Sequence, residues 1–422
     1  MPTENLDKFY KEFDKQLKKT KEAAEKLSLA KTEDKNEALE ILADELLKSS
    51  QSIIAANKKD LAAATKIKLP KAKYQRLVLD KKGLEKMASD IREIAKLQDP
   101  IGSAKTIKRP NGLVIEKRHI PLGVIAIIYE SRPNVTTDVV ALCIKSGNAT
   151  ILRGGEEAIH TNNALYQVVK KALKKSKLPV DVVYSIPRTE REIIEYFLKK
   201  DQDIDLIVPR GGEGLIKFVL KHTTIPIIRH DRGLTQMYVD ATADIKKSIP
   251  ICLTAKTSKP SACNAVENIY IHQDIVPEFL PKLAIAFNKA KVEMRGCDKT
   301  QKIIKCVPAT IEDLDTEYLD LIVTIKIVSN VSEGIRLVKK YSSGLSDAIL
   351  TEDYTNARRF TNEVDSAAVY VNASTRFTDG NEFGKGAEMG IGTQKLHARG
   401  PVGPKELTTV KYVVTGDGQY RE

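Results

Sequence analysis

Between residues 4 and 97, lysine and glutamate alternate with Leu, Ile and Ala at three- and four-residue spacing, as at Ala38, Ile41, Leu42, Leu46 and Leu47. That period collects the apolar side chains on one face, so the stretch is expected to be helical. The Asp99-Pro100 step ends it. Two strand-like runs follow, Ala104 to Arg109 and Leu113 to His119, separated by Pro110-Asn111-Gly112, and Asn-Gly between such runs predicts a hairpin. The hairpin is charged on both faces, so it is expected to project from the core and pair with a partner. From residue 122 the pattern alternates. Apolar strands are predicted at 122–129, 149–152, 182–186 and 204–208, with helices at 136–146, 156–174, 190–199 and from 213 to Lys221. A second round runs from Gln236 to about Tyr370. It has a helix from Ala243 to Lys256, a strand from Ala265 to Ile271, helices near 276–292, 332–341 and 353–363, and strands near 346–350 and 367–371. The segment 372–404 is rich in Gly and polar residues, and 406–415 returns to a strand pattern. Short apolar strands separated by helices predict an α/β fold with two doubly wound, parallel sheets.

Composition narrows this little. A chain of 422 residues, 42% hydrophobic and 29% charged, has the balance of a soluble globular protein of two or three domains. No run of about 18 apolar residues appears and the N-terminus has no signal-like stretch, so a cytoplasmic protein without a membrane partner is expected. Cys143, Cys252, Cys263, Cys297 and Cys306 form no C-x-x-C pair and H-E-x-x-H is absent, so neither a disulfide framework nor a metal site is expected. The net charge of +12 raises the question of nucleic acid. Its lysines are spread along helices, only 5% of residues are aromatic and no nucleic-acid motif accompanies them, which favours solvated helix faces. A basic field would still attract an anionic substrate or cofactor.

The candidate chemistry centres on Lys259-Pro260-Ser261-Ala262-Cys263-Asn264-Ala265-Val266-Glu267. Cys263 stands on the turn between a predicted helix and a predicted strand, outside the apolar run where a packing cysteine belongs, and is a candidate nucleophile. After the 122–129 strand, Asn134 can aim an amide N–H at an oxyanion, or equally cap the helix that follows. Arg153-Gly154-Gly155 and Arg210-Gly211-Gly212 stand at strand-to-helix turns. There, helix N–H groups and a guanidinium suit a phosphate, although glycines at such turns also serve chain geometry. Neither G-x-G-x-x-G nor a P-loop is present.

Several separated strings resemble one family. They are Pro121-Leu122-Gly123-Val124-Ile125 through Arg132-Pro133-Asn134, the 147–155 and 205–212 stretches, the Cys263 turn, Tyr370-Val371-Asn372-Ala373-Ser374-Thr375-Arg376-Phe377-Thr378-Asp379-Gly380, and Lys395-Leu396-His397-Ala398-Arg399-Gly400-Pro401. Over nearly its whole length the chain resembles the gamma-glutamyl phosphate reductase family of the aldehyde dehydrogenase superfamily, enzymes of proline biosynthesis. The resemblance implies a dinucleotide-binding domain (1–105 and 121–235), a catalytic domain (236–404), and an oligomerisation element made of a hairpin and a strand (106–120 and 405–422). It implies NADPH-dependent reduction of L-glutamyl 5-phosphate to L-glutamate 5-semialdehyde through a thioester on Cys263, with Asn134 as oxyanion donor. Arg153, Gly154, Gly155, Glu156, Arg210, Gly211, Gly212 and Glu317 match cofactor positions. Arg132, Ser374 and Arg376 stand where substrate is bound, and each arginine is equally suited to a structural ion pair. A separate glutamate kinase and a homodimer or homotetramer are further implications.

Two departures from the family pattern matter. Glu156 stands where the family usually has lysine, and a carboxylate facing the adenosine ribose would repel a 2′-phosphate, so NADH is admitted beside NADPH. The segment Ile228 to Gln236 replaces a more Gly-rich one. No carboxylate precedes Asp231 in 224–230, so hydrolysis of the thioester is not expected, and His230 is read as structural rather than as a base. Two alternatives stay open: an acylating aldehyde dehydrogenase using another acyl phosphate or an acyl-CoA, and a basic nucleic-acid-binding protein on an inactive enzyme fold.

Overall fold

Five helices occupy the first hundred residues in the structure, a computed structural model that describes residues 2–229 and 232–421. The fifth, Lys81–Lys96, shows how the sequence makes them. Asp80 caps it by accepting the Gly83 N–H at 2.7 Å. Its apolar residues recur at three and four, so Leu84, Met87, Ala88, Ile91, Ile94 and Ala95 are buried on one face.

The chain forms two compact units: residues 1–229, 384–390 and 402–422, and residues 230–383 and 391–401. In the first, four parallel strands lie in the order Val183–Ser185, Ala149–Gly154, Val124–Tyr129, Leu206–Arg210. Every residue of Val124–Tyr129 is buried, as a strand covered by helices on both faces requires. Strand order reverses between Val124–Tyr129 and Leu206–Arg210. Such a switch point opens a crevice at the carboxyl ends of the strands.

The second unit carries seven parallel strands in the order Val307–Pro308, Glu293–Gly296, Ile322–Val328, Val266–His272, Thr235–Val239, Ser346–Leu350, Ala368–Val371. The helices Ile245–Thr257 and Val276–Lys289 cover one face, and the helices Val331–Tyr341 and Tyr354–Glu363 supply the second apolar cluster. Ile322–Val328, near the middle of this sheet, is not among the predicted strands, although its β-branched run carries the signal.

The hairpin forms with arms Ala104–Lys108 and Val114–Pro121, and Thr408–Thr415 pairs antiparallel along the second arm. All of Ala104–Lys108 is exposed, and Ile107, Tyr412 and Val414 present apolar side chains to solvent. Two details differ from expectation. The 156–174 helix opens as a 3-10 turn, Glu156–Ala158, before the α-helix Ile159–Lys175, because Glu157 is drawn back across Gly155. The helix after residue 133 begins at Asn134 itself, with Pro133 at the cap position. Among the described residues no helix is long and apolar enough to cross a membrane.

Candidate active-site residues

In the second unit, Cys263 is half-buried on the turn joining Ile245–Thr257 to Val266–His272. The turn is closed by Ala262 N–H to Lys259 O and Ala265 N–H to Ala262 O, each at 3.0 Å. It lies at the amino end of its strand, the end opposite to the usual ligand edge of such sheets. Its neighbour Asn264 is buried and tied to the 374–378 segment by four hydrogen bonds, the longest from Nδ2 to Arg376 O at 3.5 Å. Asn264 Nδ2 donates to Thr378 O at 2.8 Å, Asn264 O accepts from Thr375 Oγ1 at 2.8 Å, and Arg376 Nη1 donates to Asn264 Oδ1. Arg376 Nε also donates to Ser258 Oγ at 3.2 Å. Two strings more than 100 residues apart thus form one bracket, and the structure places Arg376 in it as a brace of the cysteine turn. Ser374 is buried and accepts the Arg376 N–H at 3.4 Å.

Gly233 packs against the other side of that turn, and its N–H donates to Glu317 Oε1 at 3.0 Å. Beneath lies a fully buried ion pair, Lys256 Nζ to Glu267 Oε2 at 2.7 Å, with Lys256 also donating to Asp320 O at 3.1 Å. Burial pushes the Glu267 carboxyl up and the Lys256 ammonium down, and each charge opposes the other's shift. Through Asp320 the pair anchors the loop that carries Glu317. Gly233, Lys256 and Glu267 were not among the sequence candidates. Glu267, a charge inside an apolar strand run, was the available signal. His230 and Asp231 lie outside the described residues.

In the first unit, the remaining candidates gather at the carboxyl ends of the four-stranded sheet. Glu130 N–H donates to Arg210 O at 3.2 Å across the switch point. A Cβ on Gly211 would crowd the ends of two side chains, 2.6 Å from Leu215 Cδ2 and 2.9 Å from the Glu130 carboxyl carbon, both of which would have to swing aside. Gly155 is similarly closed, its Cβ position 2.4 Å from Glu157 Oε2, while Gly212 faces open space at the start of the helix Glu213–His222. Glu157, missed by the sequence reading, accepts from Ser131 N and Ser131 Oγ at 2.5 and 2.7 Å and so joins the turns after two neighbouring strands. Arg153 is largely buried, donates to Thr189 O, and burial pulls its pKa down. Its Nε, like that of Arg210, is buried without a hydrogen-bond partner. Two guanidinium N–H groups left unsatisfied beside an open helix N-terminus fit an anionic group such as a dinucleotide's phosphates. Glu156 is exposed on the 3-10 turn and Arg132 is half-buried. Asn134 is exposed and donates through Nδ2 to Asp138 Oδ2, one helical turn on, at 2.8 Å. Among the described residues no group of three or more His, Cys, Asp or Glu is placed to hold a metal.

The model of the aldehyde dehydrogenase family matches residues 7–304 and 302–413. The gamma-glutamyl phosphate reductase of Petrotoga mobilis is 49% identical over 406 residues, covering 96% of this chain and 97% of the relative. That of Carboxydothermus hydrogenoformans is 50% identical, covering 96% and 98%. The crystal structure of gamma-glutamyl phosphate reductase from Thermotoga maritima superposes with a TM-score of 0.93 at 44% identity, over 97% of this chain and 99% of that one.

Proposed function

The chain belongs to the aldehyde dehydrogenase family and, within it, to the gamma-glutamyl phosphate reductases, and on that premise we propose how its residues reduce L-glutamyl 5-phosphate to L-glutamate 5-semialdehyde and phosphate. Cys263 is the nucleophile. Its thiolate attacks the acyl carbon, the carbonyl oxygen becomes an oxyanion, and collapse expels inorganic phosphate to leave a thioester on Cys263. Asn134 donates an amide N–H to that oxyanion. A thiol of ordinary pKa, about 8.5, is only a few per cent ionised at pH 7, so a fixed position for the turn matters as much as its charge. The carrying observation is the bracket: Asn264 joins the cysteine turn to the 374–378 segment by bonds from both its backbone and its side chain.

A bound nicotinamide cofactor supplies the hydride that reduces the thioester. Arg153, Arg210 and the Gly154-Gly155 and Gly211-Gly212 turns hold its phosphates in this reading, and Glu317 its nicotinamide ribose. NADPH is favoured by the net charge of +12 and by Arg153, while Glu156 admits NADH. Arg132 and Arg376 are the candidates for the substrate's α-carboxylate. The first unit serves as the dinucleotide domain and the second as the catalytic domain. The exposed sheet of Ala104–Lys108, Val114–Pro121 and Thr408–Thr415 pairs with another copy in a homodimer or homotetramer. The enzyme is placed in the cytoplasm, with its substrate supplied by a separate glutamate kinase.

The test is the reverse reaction. With glutamate 5-semialdehyde and oxidised cofactor, sustained turnover is expected only when phosphate or arsenate is supplied as acyl acceptor. Without either, at most one turnover per site should occur. Continuous release of free glutamate under those conditions would show a water-activating base and overturn the proposed acyl transfer. Turnover supported by coenzyme A in place of phosphate would instead favour the acyl-CoA alternative.

A further inference from the structure

The loop that carries Glu317 keeps its backbone in a conformation that its own residues disfavour. Leu319 has a φ of 55°, in the left-handed region, where a Cβ crowds the following carbonyl oxygen. Leucine has no polar side chain to offset that locally, as Asn or Asp would. Packing does not hold it there either, since Leu319 is 40% exposed. Such a residue persists only where its surroundings fix the chain on both sides.

Both anchors lie within the second unit. Upstream, Tyr318 Oη donates to Asp313 Oδ1 at 2.8 Å and lies 2.7 Å from Thr324 Oγ1, while Arg232 Nη1 donates to Asp315 O at 3.0 Å. Downstream, Asp320 O accepts from the Ile322 N–H at 2.8 Å and from Lys256 Nζ at 3.1 Å. The first of these two bonds is local, whereas the second comes from the helix that leads into the cysteine turn. Lys256 is fully buried and cannot follow a moving loop, because Glu267 Oε2 fixes its Nζ at 2.7 Å. Glu267 in turn stands on the strand that leaves the cysteine turn. One ammonium is therefore tied to both elements that flank Cys263 and to the residue after Leu319. A buried ion pair gains little over apolar residues of similar volume, so its value here is the carbonyl that it grips.

Resting on the reading of Glu317 as the ribose ligand, we propose that Lys256 is a positioning residue for the cofactor: its ammonium holds the Leu319 turn left-handed, and that turn presents Glu317. Without this hold Leu319 relaxes, and Glu317 leaves the place it keeps against the Gly233 N–H. The cysteine turn does not depend on the hold, because its own two hydrogen bonds and the Asn264 bracket close it.

The experiment replaces both charges in the full chain, as Lys256→Met with Glu267→Leu, so that no lone charge is left buried. Fluorescence titration reads the affinity for reduced cofactor, and mass spectrometry reads the rate at which iodoacetamide alkylates Cys263. Affinity is expected to fall about tenfold, the cost of one residue released from a strained conformation. Alkylation should change by no more than about threefold, as for a site that is not coupled to the change. Adding Leu319→Gly to that enzyme should restore part of the affinity, because glycine adopts the left-handed form without strain. Equal losses in both readings, or a loss that Leu319→Gly does not relieve, would show that the pair only supports the fold. Unchanged affinity would show that the loop needs no hold. Each of these results overturns the proposal. Lys256→Gln with Glu267→Gln, a neutral hydrogen-bonded pair one atom shorter at residue 256, carries the same expectations if the apolar pair does not fold. Glu317→Gln is the separate arm: it should weaken cofactor binding by itself, and normal binding there would refute the ribose reading whatever the Lys256 variants do.

Discussion

Gly233 and Cys263 are packed backbone to backbone, so closely that a methyl group on Gly233 would stand 2.2 Å from the Cys263 carbonyl oxygen and 2.5 Å from its Cβ. Neither atom belongs to a flexible side chain that could swing aside. The glycine is needed for this approach alone, since its φ is not in the left-handed region. Its N–H is held by Glu317, so one residue links the cysteine turn to the loop of a candidate cofactor residue.

Gly233→Ala is therefore expected to cut kcat at least 100-fold, because a displacement of about 1 Å at a reacting group costs that much. Overpacking should also lower stability by about 1–3 kcal/mol. Steady-state rates and thermal melting check both. An alanine variant with normal turnover would show that the turn tolerates displacement.

Cys263→Ala is expected to abolish reduction while leaving cofactor binding nearly unchanged, as cofactor fluorescence titration would report. Alanine at Cys143, Cys252, Cys297 or Cys306 should leave most of the activity. Cys143 and Cys252 are wholly buried, so those two replacements should lower stability by roughly 1 kcal/mol, and the half-buried pair by less.

Glu156→Lys is expected to shift the ratio of kcat/KM values toward NADPH on the order of tenfold, since it replaces a like-charge contact with the 2′-phosphate by an attractive one at a solvent-exposed position. An unchanged ratio would place Glu156 away from the ribose.

Glu45 gives the pH dependence. Its buried carboxyl receives Lys171 and Lys175, each at 2.7 Å, and their hydrogen bonds hold its pKa down to about 2 against the opposing effect of burial. A carboxyl lowered by folding contributes stability above its unfolded pKa and loses it as pH falls through the folded value. The contribution should be complete at pH 6 and should fade from about pH 4.5 toward about 2. In melting experiments Glu45→Gln should be less stable than the parent at pH 6, with the gap narrowing by pH 3. A gap independent of pH would trace the effect to packing instead of charge.

By itself the sequence determined the helical first hundred residues, the hairpin at Asn111-Gly112, the alternating strands and helices of the first unit and part of those of the second, and the position of Cys263 on a helix-to-strand turn. These depend on period, on turn residues and on runs of apolar side chains, all written within a few neighbouring positions. The specific strings also carried the family. Tertiary structure decided which of the candidates stand together. Arg376 reads as a substrate arginine along the chain, and the fold in addition ties its guanidinium to Asn264 and Ser258, residues 112 and 118 positions away. Glu157 and Gly233 carried no local signal, because what makes each necessary is a neighbour from a distant segment: Ser131 for one, the Cys263 backbone for the other. Asp138 was not among the sequence candidates. That it borders a cavity facing Arg76 and Lys86 depends on how three helices pack, and the period of any single helix holds no record of that.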